Sequence, residues 1–179
     1  MKTAFPAEAL RVCVRCGVVP TRQFLAVNIA RQTTQLFQRR SGAYVPVKNF
    51  RCSTSKFGIG ETAGSNKTPR GLHRVAQKIG GGWPVGVAFK SRQVIGFTWQ
   101  GLPGAPIAHR IMWLEGLEAG FNRGGDVDSH ARYIYIHGTG NETTLGQPDS
   151  HGCIHLSSND LLPLYDRLPE GTLVWISER

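Results

Sequence analysis

Short runs in which apolar and polar residues alternate dominate this chain, and a period of two marks half-buried strands. Residues 23–29 alternate, with Phe24 and Ala26 on one side. After a turn at Arg31-Gln32-Thr33-Thr34 the pattern resumes over 35–39, so the pair predicts a hairpin. Ser41-Gly42 turns the chain again into 43–52, where Pro46 calls for an edge strand or a bulge. Further strands are predicted over 72–79, 85–89, 93–99, 110–114, 133–137 and 172–176. Polar, Gly-rich segments at 58–71, 101–106, 121–129 and 139–149 read as loops. Helical spacing is clear once, at Leu161, Leu164, Tyr165 and Leu168. Ser157 with Asp160 approximates a capping box ahead of it, and Pro163 is expected near the first turn. Many short strands with one small late helix predict a mostly-β fold, a β-sandwich or small barrel.

Composition supports this picture. Twenty-two Gly and ten Pro in 179 residues suit many turns, and 40% apolar residues can fill one core. The expected division is a segment of unclear role at 1–20 and one domain at 21–179. Residues 1–19 are interrupted by Glu8, Arg11 and Arg15, so they predict neither a signal peptide nor a membrane span. The net charge of +9 favours polyanionic partners, including cell-wall polymer. No zinc-finger spacing, RNA-reading signature or basic helix appears, so no specific nucleic acid is expected. Cys13 and Cys16 form a lone C-x-x-C without a second ligand pair; a structural role, a disulfide and a metal site all stay open. Cys52 reads as a small buried apolar residue.

Two ends of one stretch carry the candidate chemistry. Tyr133-Ile134-Tyr135-Ile136-His137-Gly138 delivers a histidine to a strand end. Ser150-His151-Gly152-Cys153-Ile154-His155 sets a cysteine behind a polar turn, a poor place for a buried thiol. A thiol with a nearby imidazole makes a nucleophile with its base, and the imidazole is expected to raise the thiolate fraction. Gly152 permits a tight turn that aims the amides near Cys153 at an oxyanion.

These residues resemble the L,D-transpeptidase (YkuD-type) family, in which a His precedes Ser/Thr-His-Gly-Cys by about 14 to 17 residues. The resemblance spans residues 22–176, and Thr68-Pro69-Arg70-Gly71 is similar to the family's Thr-Pro-x-Gly turn. It implies a β-sandwich with a small helix, Cys153 as nucleophile and His137 as base. It also implies that a backbone carbonyl, not Asp128 or Asp149, holds the other ring nitrogen of His137. Gly138, Ser150, His151, Gly152 and His155 would shape the substrate and oxyanion environment. The implied reaction is acyl transfer on peptidoglycan stem peptides, with D-alanine released and an amine, a protein lysine or water as acceptor. No metal or organic cofactor is implied, and the cell envelope is the implied location, with the cytoplasm as alternative. His155 stands where the family usually has Arg or Asn, so either its charge gives activity a pH dependence or it stays neutral and packs.

Two rivals stand beside this reading. His137, His151, Cys153 and His155 would form a zinc set if their segments were regular strands. A non-catalytic wall-binding module of the same fold is the other. His73, His109 and His130 are assigned no chemistry, and Trp83, Trp99 and Trp113 are read as packing rather than sugar platforms.

Overall fold

A computed structural model describes residues 4–179. Among the described residues ten strands form one continuously paired sheet: β1 (Gln23–Asn28), β2 (Thr33–Arg40), β3 (Ala43–Arg51), β4 (Gly71–Ile79), β5 (Val87–Lys90), β6 (Gln93–Phe97), β7 (Ala108–Gly116), β8 (Tyr135–Gly138), β9 (Ile154–Leu156) and β10 (Leu173–Ser177). Their order is β3-β2-β1-β10-β4-β7-β5-β6, and β8 and β9 continue from β7 as a branch. The mostly-β expectation holds.

The centre of the sheet is covered on both faces, which explains why β1 is nearly continuous in apolar residues. Leu25, Val27, Val174 and Ile176 face a core shared with Ile136, Ile154, Leu156 and the late helix α2 (Ser158–Arg167). Phe24, Phe37, Leu72, Leu173 and Trp175 face the other way and are covered by a helix that the pattern did not predict, α1 (Ala7–Arg15). Ala9, Val12 and Cys13 of α1 are buried there. Gly17 ends the helix at φ 64, its N–H bonding the Val14 carbonyl while the Val18 N–H bonds that of Cys13. This left-handed, doubly bonded stop suits glycine.

Helix α2 begins earlier than its apolar spacing suggested. The Ser157 hydroxyl accepts the Asp160 N–H at 3.2 Å and lies 3.0 Å from the Asp160 carboxylate. Pro163 therefore sits inside the helix rather than in its first turn. It withholds one N–H from the helical ladder. At Pro46 the β2–β3 register shifts, so the edge-or-bulge expectation holds. Trp113 is 9% exposed and packs as expected, but Trp83 and Trp99 are 44% and 57% exposed. Both nevertheless pack on Phe97, with ring centroids 6.3 and 4.6 Å from it.

Candidate active site

Strands β8 and β9 run parallel, with His137 opposite His155 and Ile136 opposite Ile154. Continuing that register one pair back sets Cys153 beside Tyr135. Side chains alternate along a strand, so Tyr135, His137, Cys153 and His155 share one face while Ile136, Ile154 and Leu156 enter the core. Strand spacing and rise put the Cα atoms of His137 and Cys153 about 8 Å apart on the diagonal, within side-chain reach. The two residues thus lie on one face of adjacent strands, and no hydrogen bond joins their side chains among the described residues.

The imidazole of His137 is 2% exposed. Its Nδ1 lies 2.7 Å from the Gly138 carbonyl. A carbonyl can only accept, so Nδ1 carries the proton and Nε2 keeps its lone pair. Burial, with the His155 ring 4.6 Å away, pushes the imidazole down to about 3. Gly138 has no room for a side chain, because a Cβ would run into His109 and the Ala108 carbonyl.

The Cys153 thiol donates to the Tyr133 carbonyl and accepts the Tyr135 N–H, both at 3.4 Å. It rests against a floor of Val87, Phe89, Ile111, Trp113 and Tyr135. Burial pushes the thiol up to about 11, while the Tyr135 N–H and the Arg132 charge pull it down. The rise in thiolate fraction expected from a nearby imidazole is therefore absent from the resting thiol. An uncharged imidazole offers no cation to hold a thiolate, and the apolar floor disfavours one.

Tyr133 was expected in the strand but is left-handed, at φ 58, and closes a turn in which its N–H bonds the His130 carbonyl. That turn aims the Tyr133 carbonyl at Cys153. On the other side Ser150 fixes the Cys153 turn: its hydroxyl donates to the Cys153 carbonyl at 2.6 Å and accepts the Gly152 N–H at 3.2 Å. The Gly152 amide is thus engaged by Ser150, a departure from its expected role toward an oxyanion. Gly152 lies at φ 120, a region that side-chain-bearing residues rarely occupy, with Ile134 and the Lys67 carbonyl both 3.3 Å from where a Cβ would be. Thr68 of the Thr-Pro-Arg-Gly turn donates to the Gly152 carbonyl at 3.0 Å, so that turn buttresses the cysteine loop. Arg132 donates to the Lys67 and Glu61 carbonyls and ties the same loop down.

His151 is exposed and packs on Phe57, with ring centroids 5.4 Å apart. The four-residue zinc set is therefore not assembled, and no three His, Cys, Asp or Glu among the described residues converge on a metal position. His155 is 9% exposed, its Nδ1 has no partner among the described residues, and burial pushes it down to about 4. It remains neutral across the range where an unperturbed histidine titrates. Cys13 and Cys16 are free thiols, with Cys13 buried on the inner face of α1.

Two residues of the site had no local signal. His109 sits in a bulge of β7 at φ 70, takes the Gly86 N–H on Nδ1 at 2.8 Å, and supports Gly138. Arg92 reaches over from the β5–β6 turn to the Tyr135 hydroxyl, 3.3 Å away. His109 comes from a strand and Arg92 from a hairpin turn, both remote in sequence, and only sheet pairing brings them in.

Residues 22–176 match the YkuD family, the L,D-transpeptidase catalytic domain. No curated protein matches the chain. Bd1075 of Bdellovibrio bacteriovorus aligns with TM-score 0.58 at 13% identity, over 89% of this chain and 49% of that one. An L,D-transpeptidase from Mycobacterium smegmatis aligns with TM-score 0.50 at 18% identity, over 87% and 58% of the two chains. The L,D-transpeptidase LdtMt1, solved in complex with imipenem, aligns with TM-score 0.51 at 18% identity, over 87% and 59%. The chain spans about half to three-fifths of the length of these neighbours, and at such identities their likeness is one of fold. The matched span runs from the start of β1 into β10 and includes both strands of the candidate site, so the chain belongs to the YkuD family of L,D-transpeptidase catalytic domains.

Proposed function

We propose that this chain is a cysteine acyltransferase acting on peptidoglycan stem peptides, with residues 21–179 as its catalytic unit. The observation that carries this reading is the shared face of β8 and β9, where the unprotonated Nε2 of His137 and the Cys153 thiol lie on adjacent strands. Cys153 attacks the carbonyl of the diaminopimelate-type third residue of a tetrapeptide stem. The S–H proton leaves the Tyr133 carbonyl for His137 Nε2 as the S–C bond forms. The Cys153 N–H faces the oxyanion. The C–N bond then breaks, His137 returns the proton to the departing D-alanine amine, and a thioester remains. An acceptor amine of a second stem, or of a protein lysine, resolves it to an amide; with water as acceptor the outcome is a trimmed tripeptide. No step calls for a metal or an organic cofactor. Such a substrate places the work at the cell envelope. Among the described residues no helix is long and apolar enough to cross a membrane.

The test is mass spectrometry of muropeptides after incubation with the protein. Cross-linked dimers or trimmed tripeptides are expected, and Cys153→Ala should abolish D-alanine release. Undiminished release by that variant overturns the reading. The raised thiol suits the rival of a wall-binding module, which predicts retention of muropeptides without any change in their mass.

A carbapenem should acylate the protein once, at Cys153, because a strained amide needs a thiol that has both a base and access. Cys13 and Cys52 are fully buried and pushed up to about 11 and about 12. Peptide mapping of the adduct checks this, and an adduct at Cys16 or none at all would contradict it.

A further inference from the structure

Arg92 occupies an unusual place. The two-residue turn Ser91-Arg92 joins β5 to β6, with both residues left-handed at φ 49 and 68. Such a turn matches the twist of a hairpin but is normally filled by Asn and Gly. Here an arginine holds a conformation that costs it backbone energy. The fold directs its side chain back over the candidate site. The guanidinium carbon lies 4.8 Å from the Trp113 ring centre and 4.8 Å from that of Tyr133. Nη1 donates to the Tyr135 hydroxyl at 3.3 Å. No ion pair among the described residues includes Arg92; the four present are Arg15–Glu118, Lys48–Asp160, Arg70–Glu61 and Arg74–Glu115. A guanidinium carries five N–H donors in a planar fork suited to a carboxylate. Aromatic rings hold this fork in place without neutralising it. Tyr135, whose hydroxyl it touches, is also the residue whose N–H bonds the Cys153 sulfur. One tyrosine side chain therefore separates the unpaired cation from the nucleophile.

We propose that Arg92 sets donor specificity by binding a free carboxylate of the stem peptide held over Cys153. This rests on the acyl-transfer reading above and deepens it. A tetrapeptide donor presents two such groups near the scissile bond. One is the terminal carboxylate of the leaving D-alanine, and the other ends the side chain of the diaminopimelate-type residue. Trp113 and Tyr133 orient the fork, and the remaining donors meet the anion as its water is shed. A charge-assisted, two-point contact of this kind discriminates against the corresponding amide by roughly 10- to 100-fold.

The experiment compares kcat/KM for three donors: the tetrapeptide, the same peptide with a C-terminal amide, and the same peptide amidated on the diaminopimelate side chain. The natural protein, Arg92→Met and Arg92→Lys are each assayed on all three. The natural protein should prefer the free acid by roughly 10- to 100-fold in one arm, and that arm identifies the carboxylate. Arg92→Met should turn over acid and amide at nearly the same rate, and Arg92→Lys should keep part of the preference. The acid-to-amide ratio within one protein cancels any loss of folded enzyme, so a purely structural role for Arg92 leaves it unchanged. An unaltered ratio in Arg92→Met, or equal turnover of all three donors by the natural protein, overturns this inference alone. Failure to turn over any stem peptide overturns the acyl-transfer reading and this inference with it.

Discussion

Replacing His137 with Gln should lower the rate of Cys153 acylation at pH 7 by about 10²- to 10⁴-fold, the usual worth of a positioned base. The reason lies in the resting ionisation. With the thiol pushed up to about 11, only about one molecule in 10⁴ carries a thiolate at pH 7. In the proposed reaction the natural protein need not wait for that fraction, because neutral His137 would take the proton during attack. In the variant only pre-formed thiolate reacts. Its rate should then climb about tenfold per pH unit from pH 7 toward the thiol's own pKa, whereas the natural protein should respond much less steeply. Stopped-flow acylation by a carbapenem across pH 6–10 reads both profiles. Parallel profiles for the two proteins would remove His137 from the proton transfer.

Acidification from pH 7 to 4 should destabilise the fold on the order of several kcal/mol, a large part of an ordinary domain's stability. Four buried histidines are responsible, among them His109, which burial also pushes down. His73 bonds the Gly71 carbonyl and the Ser129 hydroxyl, and burial pushes it down to about 4. His155 is likewise held at about 4 and His137 at about 3. In the unfolded chain each takes up its proton near pH 6.5. Between that value and the folded one the unfolded state binds more protons, so stability rises with pH and is lost as pH falls. Their contribution is complete above about pH 6.5 and disappears progressively toward pH 4 and below. Urea midpoints at pH 7, 5.5 and 4 measure the loss. A midpoint that stays level over this range would mean that these imidazoles titrate normally in the folded protein.

Much of the architecture was legible because strand signals are local. β1, β4 and β10 announce themselves through alternation or β-branched runs bounded by turn residues. Helix α1 escaped for equally physical reasons. It has only nine residues, its cap Pro6 offers no side-chain hydrogen bond, and Val14 stands 81% exposed on its polar face. The available signal was the spacing of Ala9, Val12 and Cys13 ahead of Gly17. In the candidate site, His137 and Cys153 stood out in the sequence because each sits in its own short motif. The ionisation of that pair did not, since it depends on burial by β5, β7 and β8 residues far off in sequence. Arg92 and His109 were silent for the same reason: no neighbour in the chain distinguishes them from a surface arginine and a core histidine.

The parallel pairing of β8 and β9 also governs how this protein can fail and how it can vary. A slip of one residue along β9 would send Cys153 and His155 into the interior and turn Ile154 outward. No partly shifted arrangement keeps Cys153 on the face of His137, so under the proposed function activity should be all-or-none. Heat inactivation should track the folded fraction without a weakened intermediate. Insertions are a different matter. The 3-10 turn at Glu142–Thr144 has no buried residue, and extra residues at that bend leave the register of β8 and β9 untouched. Descendants of this chain are therefore free to lengthen the bend into a lid or a recognition arm, while the three residue pairs of β8 and β9 allow almost no drift.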